Sequence, residues 1–147
     1  MPDNRLTSPS TSISLSDIVM VPRVFKNKWF NRWARREGIA DKALVGAAKE
    51  IATGKVEADL GGCLFKKRLA RPGEGTRGGY RTIVGYKTSK PERVIFLYAF
   101  AKKTRDNISL KEEAALSLAA KAFLSVPDEQ IDEYLQRGSI VEVTNNE

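Results

Sequence analysis

The middle of the chain changes character every ten or so residues, and its apolar and polar positions spell out three successive β-strands. They lie at about 63–70, 79–87 and 93–101. The first two mix apolar with charged residues. The last is almost continuously apolar, which is the pattern of a central strand covered on both faces. The loop Thr88-Ser89-Lys90-Pro91-Glu92 is short enough to make the second and third an antiparallel hairpin. Upstream, Ile18 to Phe25 reads as a first strand, with Pro22 favouring an edge. The spacing then becomes helical. Asn27 to Glu37 predicts a helix stopped by Gly38, with Phe25, Trp29 and Trp33 on one apolar face beside Phe30. Asp41 predicts the N-cap of a second helix running to about Thr53, with Leu44, Ala48 and Ile51 inward and Gly54 ending it.

Downstream, Ser109-Leu110-Lys111-Glu112 matches a capping box. The helix it opens is expected to bury Leu110, Ala114, Ala115, Leu118, Ala122 and Phe123. Pro127 begins a short acidic helix that Gly138 ends, and Ile140 to Val143 adds an edge strand. The order β-α-α-β-β-β-α-α predicts an α+β domain: a small, mainly antiparallel four-stranded sheet packed by two N-terminal helices and by C-terminal helices. One such domain is expected over 18–147, with the acidic helix and edge strand in 126–147. Residues 1–17, rich in Ser, Thr and Pro, read as a flexible tail, and Met20 is an alternative start.

Composition narrows the chemistry. The chain has no histidine and one cysteine, Cys63, so an internal disulfide is impossible and no cofactor or metal is expected. The usual neutral-pH general base is also missing. No apolar run approaches the roughly 18 residues of a membrane span, and a cytoplasmic protein with no membrane partner is expected. Charge is distributed unevenly. Residues 61–105 carry twelve Lys/Arg against Glu74 and Glu92, a net of +10, while 1–60 sum to +3 and 106–147 to −6. A strand hairpin this basic suits a polyanion, above all a nucleic-acid backbone.

Alternation in Leu64 to Ala70 puts Lys66 and Arg68 on one side and Phe65, Lys67 and Leu69 on the other. Arg81 lies on the next strand, within reach of a hairpin pairing, and Lys102, Lys103 and Arg105 follow the last strand closely enough to close one end. The expectation is a pocket of cations without carboxylates. Lys66, Arg68, Arg81 and Lys103 are its candidate catalytic groups. Lys67, Arg71, Arg77, Tyr80, Lys102 and Arg105 are its candidate RNA contacts. Fixed cations stabilise the extra negative charge of a phosphorane-like transition state. Crowding also lowers the pKa of a lysine, which then accepts the proton of a ribose 2′-OH. The competing reading of the same charges is a solvated face or a passive phosphate-binding patch. Tyr86, Tyr98, Trp29 and Trp33 read as core. The glycine-rich loop 71–79 lacks the Lys-Ser/Thr of a nucleotide loop and joins two strands, so it reads as a hairpin loop.

The runs FKNKWFNRWARREG, ADLGGCLFKKRLARPGEGTRGGYRTIVGYK and FLYAFAKKTRDNI, with the ending LSVPDEQIDEYLQRGSIVEV, resemble RelE/ParE-superfamily toxins of type II toxin–antitoxin modules. The HigB-like, RelE-type branch is the nearest, over about residues 20–143. The resemblance implies a microbial-RNase-like fold, cleavage of mRNA in the ribosomal decoding site, and inhibition by a cognate antitoxin. It aligns Lys66 and Arg68 with two cations at the scissile phosphate, Arg81 with an arginine contacting it, and Lys102, Lys103 and Arg105 with the basic residues after the last strand. It also exposes a departure. Where RelE-type enzymes often place a Tyr or His for proton transfer, this chain reads Asn107-Ile108-Ser109. A ParE-like inhibitor of DNA gyrase and a non-catalytic RNA-binding relative are the alternatives.

Overall fold

The computed structural model describes residues 22–73 and 79–144. The elements run β1 (Arg23–Asn27), α1 (Lys28–Glu37), α2 (Asp41–Ala52), β2 (Ala58–Gly61), β3 (Leu64–Leu69), β4 (Tyr80–Lys87), β5 (Arg93–Ala101), α3 (Leu110–Ser125), α4 (Asp128–Arg137) and β6 (Ile140–Val143). They form an α+β fold around one sheet of order β2-β3-β4-β5-β1-β6. Among the described residues only the β1–β5 pairing is parallel. The sheet therefore has six strands rather than the expected four. β2 pairs with β3 through the turn at Gly62-Cys63, and β6 covers β1. That places β1 inside the sheet, against the edge position that Pro22 suggested; Pro22 precedes the strand and takes no ladder position. The expected tail, Met20 and the first residues of the expected strand lie outside the described residues.

The helices divide between the two faces. On the first, α1 and α2 bury Phe30, Trp33, Ala34, Leu44, Ala48 and Ile51 against Tyr80, Val84, Val94, Phe96 and Val143. On the second, α3 and α4 supply Ala120, Phe123, Leu124 and Ile131 against Phe25, Leu64, Ile83, Ile95, Leu97 and Phe100. Each fully buried large side chain contributes about 1.5–3 kcal/mol, and β5 feeds both cores, which explains its unbroken apolar sequence. Phe25 belongs to the second face, apart from the Trp33 stripe it was expected to join.

Local capping follows the sequence with one exception. Asn27 caps α1 through its Oδ1, Gly38 ends that helix in the left-handed region, and Ser109 and Glu112 form the capping box. At α2 the cap is Ala40, and Asp41 instead pairs with buried Lys26 at 3.3 Å.

The largest misreading is the phase of α3. Leu110 is 85% and Leu118 71% exposed, whereas Ala120, Phe123 and Leu124 are buried. Small alanines and scattered polar residues leave α3 only weakly amphipathic, so its sequence carries little phase information. Close approach decides it: a Cβ on Gly85 would lie 2.9 Å from the Ala120 Cβ, so α3 docks on β4 through that pair. No helix among the described residues is long and apolar enough to cross a membrane.

Candidate nucleic-acid interface

The β3–β4 register sets the site. Leu64 lies opposite Gly85, Lys66 opposite Ile83 and Arg68 opposite Arg81. Leu64, Ile83 and Gly85 belong to the second face, so alternation puts Lys66, Arg68 and Arg81 on it too. β5 continues the rows with Tyr98 opposite Ile83 and Phe100 opposite Arg81. α3 covers the Leu64–Gly85 end. At the other end the segment after β5 folds back: Arg105 stacks over Tyr98 and Phe100 at 5.9 and 5.8 Å. Arg105 also donates to the Tyr98 hydroxyl at 3.1 Å and to the Asn107 carbonyl at 2.8 Å. Lys66 Nζ donates to Asn107 Oδ1 at 3.4 Å, tying β3 to that segment.

The cations differ in access. The Arg68 side chain is 53% exposed and Lys66 is half-buried, but the Arg81 side chain is only 5% exposed. Glu57, just before β2, places Oε1 2.5 Å from Arg81 Nε and 3.9 Å from Arg68 Nε. The Arg81 Nε–H is not aligned on any acceptor, so this is a charge contact without a formed hydrogen bond. Glu112 bonds Arg105, and Lys102 pairs with Asp106 at 3.4 Å. These carboxylates correct the expectation of a cation pocket free of acids. All three lie outside residues 61–105, the window whose charge was counted: Asp106 and Glu112 just beyond its end, and Glu57 just before its start. Hydrogen bonds from Ser109 N–H and then Arg105 hold the Glu112 carboxyl below its usual range, and the same bridge raises the Arg105 guanidinium.

Two expected contacts are elsewhere. Tyr80 is buried on the first face, edge-on to Trp33 at 4.9 Å, with its hydroxyl donating to Glu37 at 2.5 Å. One step of alternation separates it from Arg81. Lys67 is likewise on the first face, bound to Glu50 at 2.7 Å and donating to the Lys55 carbonyl at 2.8 Å. Arg71 lies over the Tyr80 ring at 5.8 Å. Lys103 is exposed beside Lys102, and Arg77 lies outside the described residues.

Sequence reasoning missed Glu57 and the second-face role of Tyr98. The first had a signal, because Gly61-Gly62 between two short runs marks a hairpin. With β2 recognised, Glu57 falls beside β3.

No curated protein and no solved structure matches this chain. A family model does: RelE toxin of the RelE/RelB toxin–antitoxin system, over residues 22–143. That span runs from the start of β1 to the end of β6 and takes in both helical layers and the cationic end of the sheet. The chain belongs to the RelE toxin family.

Proposed function

We propose that this toxin is an mRNA endoribonuclease that acts on ribosome-bound message and so inhibits translation, with its cognate antitoxin as the restraining partner. One observation carries the reading: Lys66, Arg68 and Arg81 share one face of paired strands, Arg68 directly opposite Arg81, with the Arg105–Asn107 segment folded back onto Lys66. In the reaction the ribose 2′-oxygen attacks phosphorus and the bond to the 5′-oxygen breaks, leaving a 2′,3′-cyclic phosphate and a 5′-hydroxyl. Arg68 binds the phosphate, and Arg81 behind it adds positive charge where the transition state gains negative charge. Lys66, oriented by Asn107, takes the 2′-OH proton. Lys103 is the cation at the departing oxygen and donates the proton that makes it the 5′-hydroxyl. The dependence on a 2′-OH restricts the chemistry to RNA.

Glu57 and Glu112 favour a second reading, a non-catalytic RNA-binding relative, because each neutralises a cation of the site. Mapping mRNA 5′ ends after brief induction separates the two. Cuts within translated codons that disappear in Lys66→Ala support the nuclease. Growth arrest without cuts sinks it, and gyrase-linked DNA damage in that case assigns the chain to the ParE-like class.

A further inference from the structure

We propose that Glu57 is an internal counter-ion of the paired arginines: it stands where a phosphodiester binds, holds Arg81 in place beforehand, and yields to the incoming phosphate. The proposal rests on the RNA reading above and deepens it. Arg68 and Arg81 are directly opposed in an antiparallel pair, a position at which side chains approach to about 5 Å and like charges destabilise. One carboxylate oxygen answers both, at 2.5 Å from Arg81 Nε and 3.9 Å from Arg68 Nε. Its backbone is fixed, since Glu57 N donates to the Lys66 carbonyl at 2.8 Å.

The contact is nevertheless not built as a permanent bridge. A structural arginine–carboxylate pair in this molecule looks different: Arg23 grips Glu142 with Nε at 3.0 Å and a terminal nitrogen at 2.9 Å, two aligned bonds from one fork. Glu57 makes no aligned bond to either arginine, and Arg68 stays exposed. A groove of about 280 Å³, lined by Lys55, Val56, Glu57, Lys67 and Arg68, gives the carboxylate somewhere to turn. A phosphate supplies several oxygens to two guanidinium groups and so satisfies them better than the single oxygen it displaces. Glu57 is thus a positioning residue that competes with substrate.

The test uses the full chain and a fluorescent RNA oligonucleotide whose 2′-O-methyl groups block cleavage, followed by anisotropy over a series of salt concentrations. Glu57→Gln is expected to bind severalfold tighter. Its plot of log affinity against log salt should steepen by about 0.7, the value for one added phosphate contact on a single strand. Its melting temperature should fall, and inorganic phosphate should raise it more than in the parent. Glu50→Gln removes the same charge on the first face, where Glu50 holds Lys67, and should leave affinity within about twofold. Equal or weaker binding by Glu57→Gln, or equal tightening by Glu50→Gln, overturns the proposal. If Glu57→Gln does not fold, Glu57→Asp keeps the charge but withdraws it by one methylene; partial tightening supports the proposal and unchanged affinity overturns it. Cuts in cells without tightening sink this inference alone, whereas tightening without cuts sinks only the nuclease.

Discussion

Two arginines are buried on the same face of this sheet, and their surroundings contrast a scaffold end with a proposed working end. Arg93, at the start of β5, is fully enclosed beneath the α3–α4 corner. It donates to the Phe123 carbonyl at 3.1 Å and to Asp128 at 2.9 Å, and lies 5.9 Å over the Phe123 ring. One side chain therefore meets the last turn of α3, where a cation complements the helix dipole, and the first turn of α4, where Asp128 does the same with opposite sign. Arg81 is nearly as buried, yet it faces another arginine and a single unaligned carboxylate, and its one hydrogen bond is a long one, 3.4 Å, to the neighbouring Tyr80 carbonyl. Burial alone does not distinguish a structural cation from a functional one. The acceptors around the rest of the group do: Nε lacks a hydrogen-bond partner in both, but the terminal nitrogens of Arg93 reach a helix carbonyl and Asp128, whereas the carboxylate beside Arg81 is unaligned and, under the proposed RNA reading, gives way to a phosphate.

The largest expected effect breaks the scaffold side. Arg93→Ala opens a cavity and strips the Phe123 carbonyl of its donor, and should cost about 3 kcal/mol of stability in chemical denaturation. Arg93→Met restores part of the volume without the charge and should recover part of the loss. Toxicity per folded molecule should survive in both. A loss below about 1 kcal/mol in Arg93→Ala would erase the distinction between the two arginines.

A smaller effect on stability, with a larger one on function, is expected at the working end. Arg68 is exposed and opposed by a like charge, so Arg68→Gln should change stability by no more than about 0.5 kcal/mol while weakening both RNA binding and growth arrest. Arg81→Gln should lose function and also stability, because it leaves Glu57 without its nearest cation. If Arg68→Gln retains full toxicity, the exposed arginine has no part in the mechanism.

How much of this was legible depends on whether the relevant force acts within a segment or between segments. The strand boundaries of β3, β4 and β5, the Ser109–Glu112 capping box and the stop at Gly38 are local, and periodicity with turn chemistry found them. Alternation also put Lys66 and Arg68 on one side of β3. The same rule separates Tyr80 from Arg81, and applying it there would have kept Tyr80 with Trp33 in the core. The phase of α3 was not legible, since its apolar residues, mostly alanines, are spread round a weakly amphipathic helix and do not say which side meets Gly85. Net charge misled as well. Of the twelve cations in residues 61–105, Arg93 is sealed by Asp128, Lys67 by Glu50, and Arg105 by Glu112. Each of those acids is distant in the sequence or outside the counted window, so only the fold brings them together.

The smallest expected effect concerns acid. Glu112 fastens the segment that carries Arg105 and Asn107 to the first turn of α3, and its carboxyl is held below the usual range, first by the Ser109 N–H and next by Arg105. A carboxylate depressed in the folded state adds stability above its unfolded value of about 4.5, and that stability is lost as pH falls through the lower folded value. Melting temperatures measured from pH 7 down to about pH 3 should therefore drop in the acid limb. Glu112→Gln should show a shallower drop over the same interval, having already lost the ionised form. Glu50, depressed mainly by its hydrogen bond to Lys67, contributes to the same limb and remains in that variant, so the slope should lessen without vanishing. Identical acid limbs in the two proteins would mean that the bridge does not fasten the segment, and that Arg105 and Asn107 are held over Lys66 by the Tyr98 and Phe100 rings instead.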